Sequence, residues 1–198
     1  MTMETRASSA PLAIRSADSR TIGGYAAVFN SPTDIAGIWT EVVAPGAFAA
    51  ALRNGTDVRA LYDHDSGRLL GRVSSGTLRL REDDKGLAVE IDLPDTQDGR
   101  DVATLIERGD LKGMSFGFYV TKQEWDETIE PPKRTIREVE LFEVTVCGDP
   151  AYTDTSIGMR SLEEARTKRR QNNFNAAARR LAMKATVDLR QRGVASKA

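Results

Sequence analysis

The chain has 198 residues, of which 40% are hydrophobic and 29% charged, and its formal net charge is −1. These values are typical of one soluble globular domain of about 150 residues with tails. One cysteine (Cys147) and one histidine (His64) exclude an internal disulfide, a cysteine-based zinc site and a multi-histidine metal site, and no apolar run is long enough for a membrane span.

Residues 1–19 are rich in Ala and Ser and show no clear period, so we interpret them as a flexible N-terminal arm, with an edge strand that begins at residues 11–14 as the alternative. They contain no signal-peptide core, which predicts a protein of the cytosol or one that assembles from it. Strands are predicted over residues 21–30, 39–43 and 57–62, and a short helix over residues 44–55.

The only histidine follows the third of these strands, in an acidic turn. His64 lies between Asp63 and Asp65. A histidine beside carboxylates can act as a general base toward a hydroxyl. An exposed turn histidine without a role is the competing interpretation, and for an isolated histidine it is the better one.

Two further strands, over residues 76–81 and 87–93, are joined by an Asp-Asp-Lys-Gly turn that predicts a hairpin. A helix is predicted over residues 96–108, because its apolar residues recur at helical spacing and Gly109 follows its end. Together, many strands and a few helices indicate an α+β fold.

The stretch over residues 112–120 alternates in a way that predicts a strand with one buried face. Ser115 lies on the other face, between Gly113 and Gly117. Glycine within a strand often marks close approach by another backbone, and a serine exposed in this way has room for a substrate carbonyl. A plain surface serine is the competing interpretation.

The polar stretch over residues 123–134 predicts an exposed loop, and residues 135–146 predict the last strand. Strict alternation would place Glu143 on the same face as Val139, Leu141, Thr145 and Cys147. A carboxylate on such a face needs a partner. His64 is one candidate, which Glu143 would orient as the acid does in a serine triad. A salt bridge with Arg72 or Arg137 is the competing interpretation, and for a lone glutamate it is the better one.

The C-terminal segment is strongly basic. Residues 161–198 contain ten Lys/Arg and three acidic residues, a net charge of +7, which leaves −8 on the rest of the chain. Such a block predicts a docking or trimmed interaction segment, with an inert, helix-prone tail as the alternative. Nucleic-acid binding is ranked lower, because the tail lacks regularly spaced aromatic residues.

Several segments, taken together, resemble the prohead serine proteases of tailed bacteriophages (caudoviruses). They are GYAAVFN (24–30), EVVAPGAF (41–48), LYDHD (61–65), LG (70–71), GMSFGF (113–118), EVTV (143–146) and DPAY (149–152). Each segment is weak alone, but their order and spacing are specific. The resemblance covers residues 20–157, which we take as the protease domain, with residues 158–198 as the tail.

This resemblance implies a Ser-His-acid serine endopeptidase with Ser115 as nucleophile and His64 as general base. For the third member we assign Glu143. It implies a mixed, mostly antiparallel β-barrel with a few surrounding helices, similar to herpesvirus assembly proteases. Gly113, Phe116 and Gly117 are expected to bind an extended substrate peptide, by addition of a strand beside Ser115.

The resemblance also implies substrates and a location. The expected substrates are the scaffolding protein or the N-terminal segment of the major capsid protein, and the chain itself, inside an assembling procapsid in the host cytoplasm. No cofactor, metal, membrane or nucleic acid is expected, and a homodimer is a hypothesis. A catalytically inactive capsid-assembly or scaffolding protein remains the alternative, as does a peptide-binding β-barrel module.

Overall fold

The computed structural model describes residues 3–8, 10–16, 20–148, 163 and 166–184. The DPAY segment (149–152) and the predicted domain boundary at residue 157 lie outside them. The strands are β1 (Glu4–Ser8), β2 (Ala13–Ser16), β3 (Thr21–Val28), β4 (Thr33–Ile35), β5 (Trp39–Val43), β6 (Arg59–Tyr62), β7 (Asp65–Arg72), β8 (Leu78–Glu82), β9 (Gly86–Asp92), β10 (Gly113–Asp126) and β11 (Lys133–Cys147). The helices are α1 (Ala49–Arg53), α2 (Gln97–Arg108) and α3 (166–184).

The strands form two mostly antiparallel sheets. One has the order β1-β10-β11-β5-β4, with β6 pairing β11 and β7; the other has the order β2-β3-β9-β8. The ladders of β11 with β5 and with β6 are parallel. The α+β class is therefore confirmed. Among the described residues these ladders leave two separate sheets, so closure into a barrel stays a prediction.

One hydrophobic core contains residues from both sheets and from α1 and α2. Phe116 and Phe118 project into it from β10, with their rings stacked at 4.7 Å, and Phe48 meets Phe116 edge to face at 5.4 Å. Burying a side chain of this size stabilises the fold by roughly 1.5–3 kcal/mol. The apolar face predicted for the Ser115 strand is thus the core face of β10.

The N-terminal segment differs from the flexible arm expected there. Glu4–Ser8 forms an antiparallel ladder with β10, and Ala13–Ser16 pairs with β3. Glu4 and Arg6 are buried, where they form a network with Glu41 of β5 and Arg134 of β11. The partners of β1 lie 35 to 130 residues away, so no local pattern indicates this strand.

The loop expected at residues 123–134 is also shorter than predicted. β10 continues to Asp126 and β11 begins at Lys133, with Asp126 paired to Lys133. The indole rings of Trp39 and Trp125 pack edge to face at 5.9 Å. Polar residues occupy these strands because one side of the hairpin faces solvent.

Helix α2 has the predicted position and the expected ends. The Thr96 hydroxyl accepts a hydrogen bond of 3.3 Å from the Gly99 amide, and Gly109 adopts a left-handed φ of 77° at the other end. Both are standard helix caps. The helix predicted over residues 44–55 is present but spans only Ala49–Arg53.

The chain divides into two compact units, Met1–Thr155 and Ser156–Ala198. In the second unit, α3 is exposed along its described length, and residues 166–184 carry seven Lys/Arg, with the helical Glu163 just before them. Phe174, Leu181 and Met183 are its exposed large hydrophobic side chains. None of the helices in the described part of the chain has the length and hydrophobicity that crossing a membrane requires.

Candidate active site

His64 lies in the two-residue turn between β6 and β7. Tyr62 pairs with Asp65, so Asp63 and His64 alone form the turn, with φ values of 55° and 59°. Two consecutive left-handed residues match the type I′ turn that suits the twist of antiparallel strands. The His64 side chain in this turn is one-third exposed.

The position of Glu143 depends on a bulge in β11. Gly117 of β10 pairs with Glu143, but the next residue, Phe118, pairs with Leu141. Phe142 is therefore an extra residue, and it reverses the side-chain alternation of β11. The face predicted by strict alternation is wrong, because residues on both sides of the bulge enter one core: Val139, Leu141, Val144 and Val146.

Because of this reversal, Glu143 and Thr145 lie on the side of the sheet opposite Val139 and Leu141, and there Glu143 meets His64. Oε1 of Glu143 lies 2.7 Å from Nδ1 of His64. The two arginines considered as alternative partners bind other residues, since Arg72 pairs with Asp57 and Arg137 with Glu124. The Glu143 side chain is 7% exposed, so this buried carboxylate has the imidazole as its ionic partner among the described residues.

Ser115 lies on the adjacent strand, on the same side of the sheet. It pairs with Thr145 of β11 on one side and with Ala7 of β1 on the other. The residue is 1% exposed, and its hydroxyl donates a hydrogen bond of 2.8 Å to the main-chain oxygen of Arg6. Within the described part of the chain, the hydroxyl bonds to Arg6 and not to His64.

The three residues expected to bind substrate lie in different surroundings. A Cβ at Gly113 would come within 3.0 Å of the Ser8 carbonyl oxygen, and one at Gly117 within 2.8 Å of Glu143 Cγ. Phe116 is a core residue that also lines a cavity of about 410 Å³ beside β1, on the side of β10 opposite Ser115. Their role in substrate binding stays a prediction.

Strand addition directly beside Ser115 is not available in this conformation. β1 covers one edge of β10 from Met114 to Phe118, and β11 covers the other. A substrate strand would have to displace β1. The expectation of simple strand addition is thus corrected by the position of the N-terminal segment.

Thr145 and Arg6 also belong to the site, although the sequence analysis assigned them no role. The Thr145 hydroxyl accepts a hydrogen bond of 3.1 Å from the His64 amide, and Arg6 provides the carbonyl that binds Ser115. Thr145 lies two residues after Glu143, a spacing that indicates a shared face. No group of three or more His, Cys, Asp or Glu side chains within the described ranges is arranged to hold a metal ion.

His64 is thus bound to Glu143, and Ser115 lies on the strand that pairs with the strand of Glu143. The model of the caudovirus prohead serine proteases matches residues 4–170. The chain belongs to this family. The resemblance inferred from the sequence is therefore confirmed, and the match includes β1.

A relative shows the same similarity. The chain is 36% identical over 156 residues to the prohead protease of Enterobacteria phage HK97, which covers 76% of this chain and 65% of the relative. The chain thus spans somewhat less than two thirds of the length of that relative. No solved structure matches this chain.

Proposed function

We propose that this member of the prohead protease family is a serine endopeptidase that acts in procapsid maturation. The observation that carries the proposal is the bond between His64 and Glu143, since it joins the only imidazole of the chain to a buried carboxylate. Ser115 lies on the neighbouring strand, directly opposite Thr145, whose hydroxyl binds the His64 main chain. The three residues take the roles of nucleophile, base and orienting acid.

The proposed reaction is acyl transfer to Ser115. Glu143 holds the His64 ring through Nδ1, which leaves Nε2 to accept the hydroxyl proton. Oγ of Ser115 attacks the scissile carbonyl carbon, and His64 passes the proton to the leaving amine. Water then hydrolyses the acyl-enzyme: His64 accepts a proton from the water and passes it to Oγ of Ser115 as the ester bond breaks.

The hydroxyl of Ser115 has to exchange partners before this reaction. It now binds the Arg6 carbonyl, and rotation about the Cα–Cβ bond is needed to turn it toward His64. Catalytic hydrogen bonds commonly form only in the substrate complex. The present conformation is therefore a resting arrangement of the proposed site.

The proposed substrates are the scaffolding protein or the N-terminal segment of the major capsid protein, together with the chain itself. The proposed location is the assembling procapsid in the host cytoplasm. The seven Lys/Arg within residues 166–184 support docking to an acidic partner, and we propose neither nucleic acid nor membrane as a partner. A homodimer and a barrel similar to herpesvirus assembly proteases remain part of the proposal; the core shared by both sheets supports the barrel.

The test is co-expression with the cognate major capsid protein, followed by intact-mass measurement of both chains. We compare the wild type with Ser115→Ala and His64→Ala, and Ser74→Ala, an exposed serine in the turn after β7, is the matched control. The proposal requires shortened products with the wild type and with Ser74→Ala, and full-length chains with the two site variants.

Two outcomes would count against the proposal. If wild type and Ser115→Ala both give full-length chains while shells still assemble, the domain acts as an assembly factor. If Ser115→Ala still shortens the capsid protein, the nucleophile is a different residue. Either result is readable from the masses alone.

A further inference from the structure

The turn that carries His64 is attached to β11 through its main chain. The Asp63 amide donates a hydrogen bond of 3.0 Å to the Val146 carbonyl, and the His64 amide donates one of 3.1 Å to Oγ1 of Thr145. Thr145 is fully buried. The hydrogen-bond acceptor of the His64 amide is thus the hydroxyl of a buried threonine.

This attachment matters because the turn has an unusual backbone. His64 has a φ of 59°, a region that residues other than glycine rarely adopt and that costs of order 1–3 kcal/mol. A conformation of this kind persists only where its surroundings hold it. Here β11 holds His64 at two points, since Glu143 binds the ring and Thr145 binds the main chain.

Thr145 is also the cross-strand neighbour of Ser115. One residue thus contacts the main chain of the proposed base and lies directly opposite the proposed nucleophile. Its hydroxyl thus connects the main chain of His64 to the strand that pairs with the Ser115 strand. Small errors in the placement of reacting groups reduce rates strongly, by about 10²-fold for 1 Å.

We propose that Thr145 is a positioning residue, whose hydroxyl fixes the His64 turn so that the imidazole stays beside the Ser115 strand. The effect on cleavage rests on the proposed function, whereas the hydrogen bond itself can be tested without a substrate. Loss of the hydroxyl leaves the His64 amide without its acceptor, and the turn then has one attachment fewer.

The experiment compares Thr145→Val, which removes the hydroxyl at similar volume, with Thr145→Ser, which keeps it. Thr145→Ala is a second variant without a hydroxyl, and Thr135→Val on the same strand is the matched control. Amide hydrogen exchange of His64 is measured by NMR, and the ¹⁵N shifts of the single imidazole report its tautomer, in protein purified without a histidine tag. The cleavage parameters kcat and KM are measured on a peptide from the substrate.

We expect His64 amide exchange in Thr145→Val to be at least tenfold faster than in wild type, and kcat to fall roughly 10- to 100-fold with little change in KM. Thr145→Ser restores both values to within a few-fold of wild type, and Thr135→Val leaves them unchanged. Unchanged exchange in Thr145→Val and Thr145→Ala overturns the inference. It is also overturned if Thr145→Ser is as impaired as Thr145→Val, since the role is then packing.

Failure of this inference differs from failure of the proposed function. If the wild type shows no cleavage that depends on Ser115, the proposed function fails, and exchange and tautomer still decide whether Thr145 positions His64. If the wild type cleaves and Thr145→Val loses amide protection but keeps its kcat, the positioning role is wrong while the protease assignment stands.

Discussion

Gly117 lies directly opposite Glu143 in the ladder between β10 and β11, and a Cβ at Gly117 would come within 2.8 Å of Cγ of Glu143. Because Gly117 has no side chain, the Glu143 side chain can occupy this space and reach His64. The glycine that the sequence suggested as a substrate contact has this structural role in the conformation described here.

We predict that Gly117→Ala displaces the Glu143 side chain and reduces kcat at least tenfold, with a smaller effect on stability. The added carbon meets the flexible part of Glu143 rather than a backbone atom, so the fold can adjust while the His64 contact cannot. Gly148→Ala is the control, since its Cβ would come no closer than 3.6 Å to another residue. Equal kcat in both variants would contradict this role.

A second prediction concerns the charge of Glu143. Glu143→Gln keeps the size of the side chain but presents a neutral amide to Nδ1, which no longer stabilises an imidazolium and permits the wrong tautomer. We expect kcat to fall by about 10²- to 10⁴-fold with thermal stability largely retained. Glu140→Gln, an exposed glutamate on the same strand, serves as control and should cleave normally.

The buried charges that hold β1 lead to a third prediction. Arg134 is 1% exposed and binds Glu4 and Glu41 at 2.7 and 2.9 Å. Arg134→Met leaves both carboxylates buried with half of their partners, and such a loss costs about 3–5 kcal/mol. Urea unfolding measures this difference. Arg137→Met removes an exposed pair with Glu124 and should leave the midpoint nearly unchanged.

A fourth prediction is the response of this network to acid. Burial favours the neutral form of Glu4, but the hydrogen bonds and charges of Arg134 and Arg6 outweigh it, so the pKa of Glu4 lies below its usual 4.5. Its contribution to stability is complete above the pKa of the unfolded chain and is lost as the pH falls through the folded pKa.

Urea midpoints measured from pH about 6 to about 3 test this linkage. We expect wild type to lose stability with acid more steeply than Glu4→Gln, because the variant has no carboxylate to protonate at this position. The absolute midpoint of Glu4→Gln is lower at neutral pH, so the comparison uses slopes. Parallel slopes in the two proteins would show that Glu4 does not contribute to the acid response.

Much of the fold and part of the site follow from local sequence. Alternation over residues 112–120 indicates the Ser115 strand and its core face, and the capped helix α2 lies where Thr96 and Gly109 place it. The lone histidine in an acidic turn follows from residues 62–65. These features depend on residues that are neighbours in the chain, so hydrophobic periodicity, helix-capping residues and turn residues are sufficient to predict them.

Tertiary structure alone decides the rest. The bulge at Phe142 reverses the alternation of β11 and sends Glu143 to His64, and a ladder with β10 orders β1 and brings the Arg6 carbonyl to Ser115. Strict alternation assigned the wrong faces and left the partner of Glu143 open between His64 and an arginine, whereas the folded chain places the carboxylate against His64. Strand register, bulges and buried ion pairs depend on partners far along the chain. Their contribution to the free energy of folding arises only when both strands are packed together, so local sequence does not predict them.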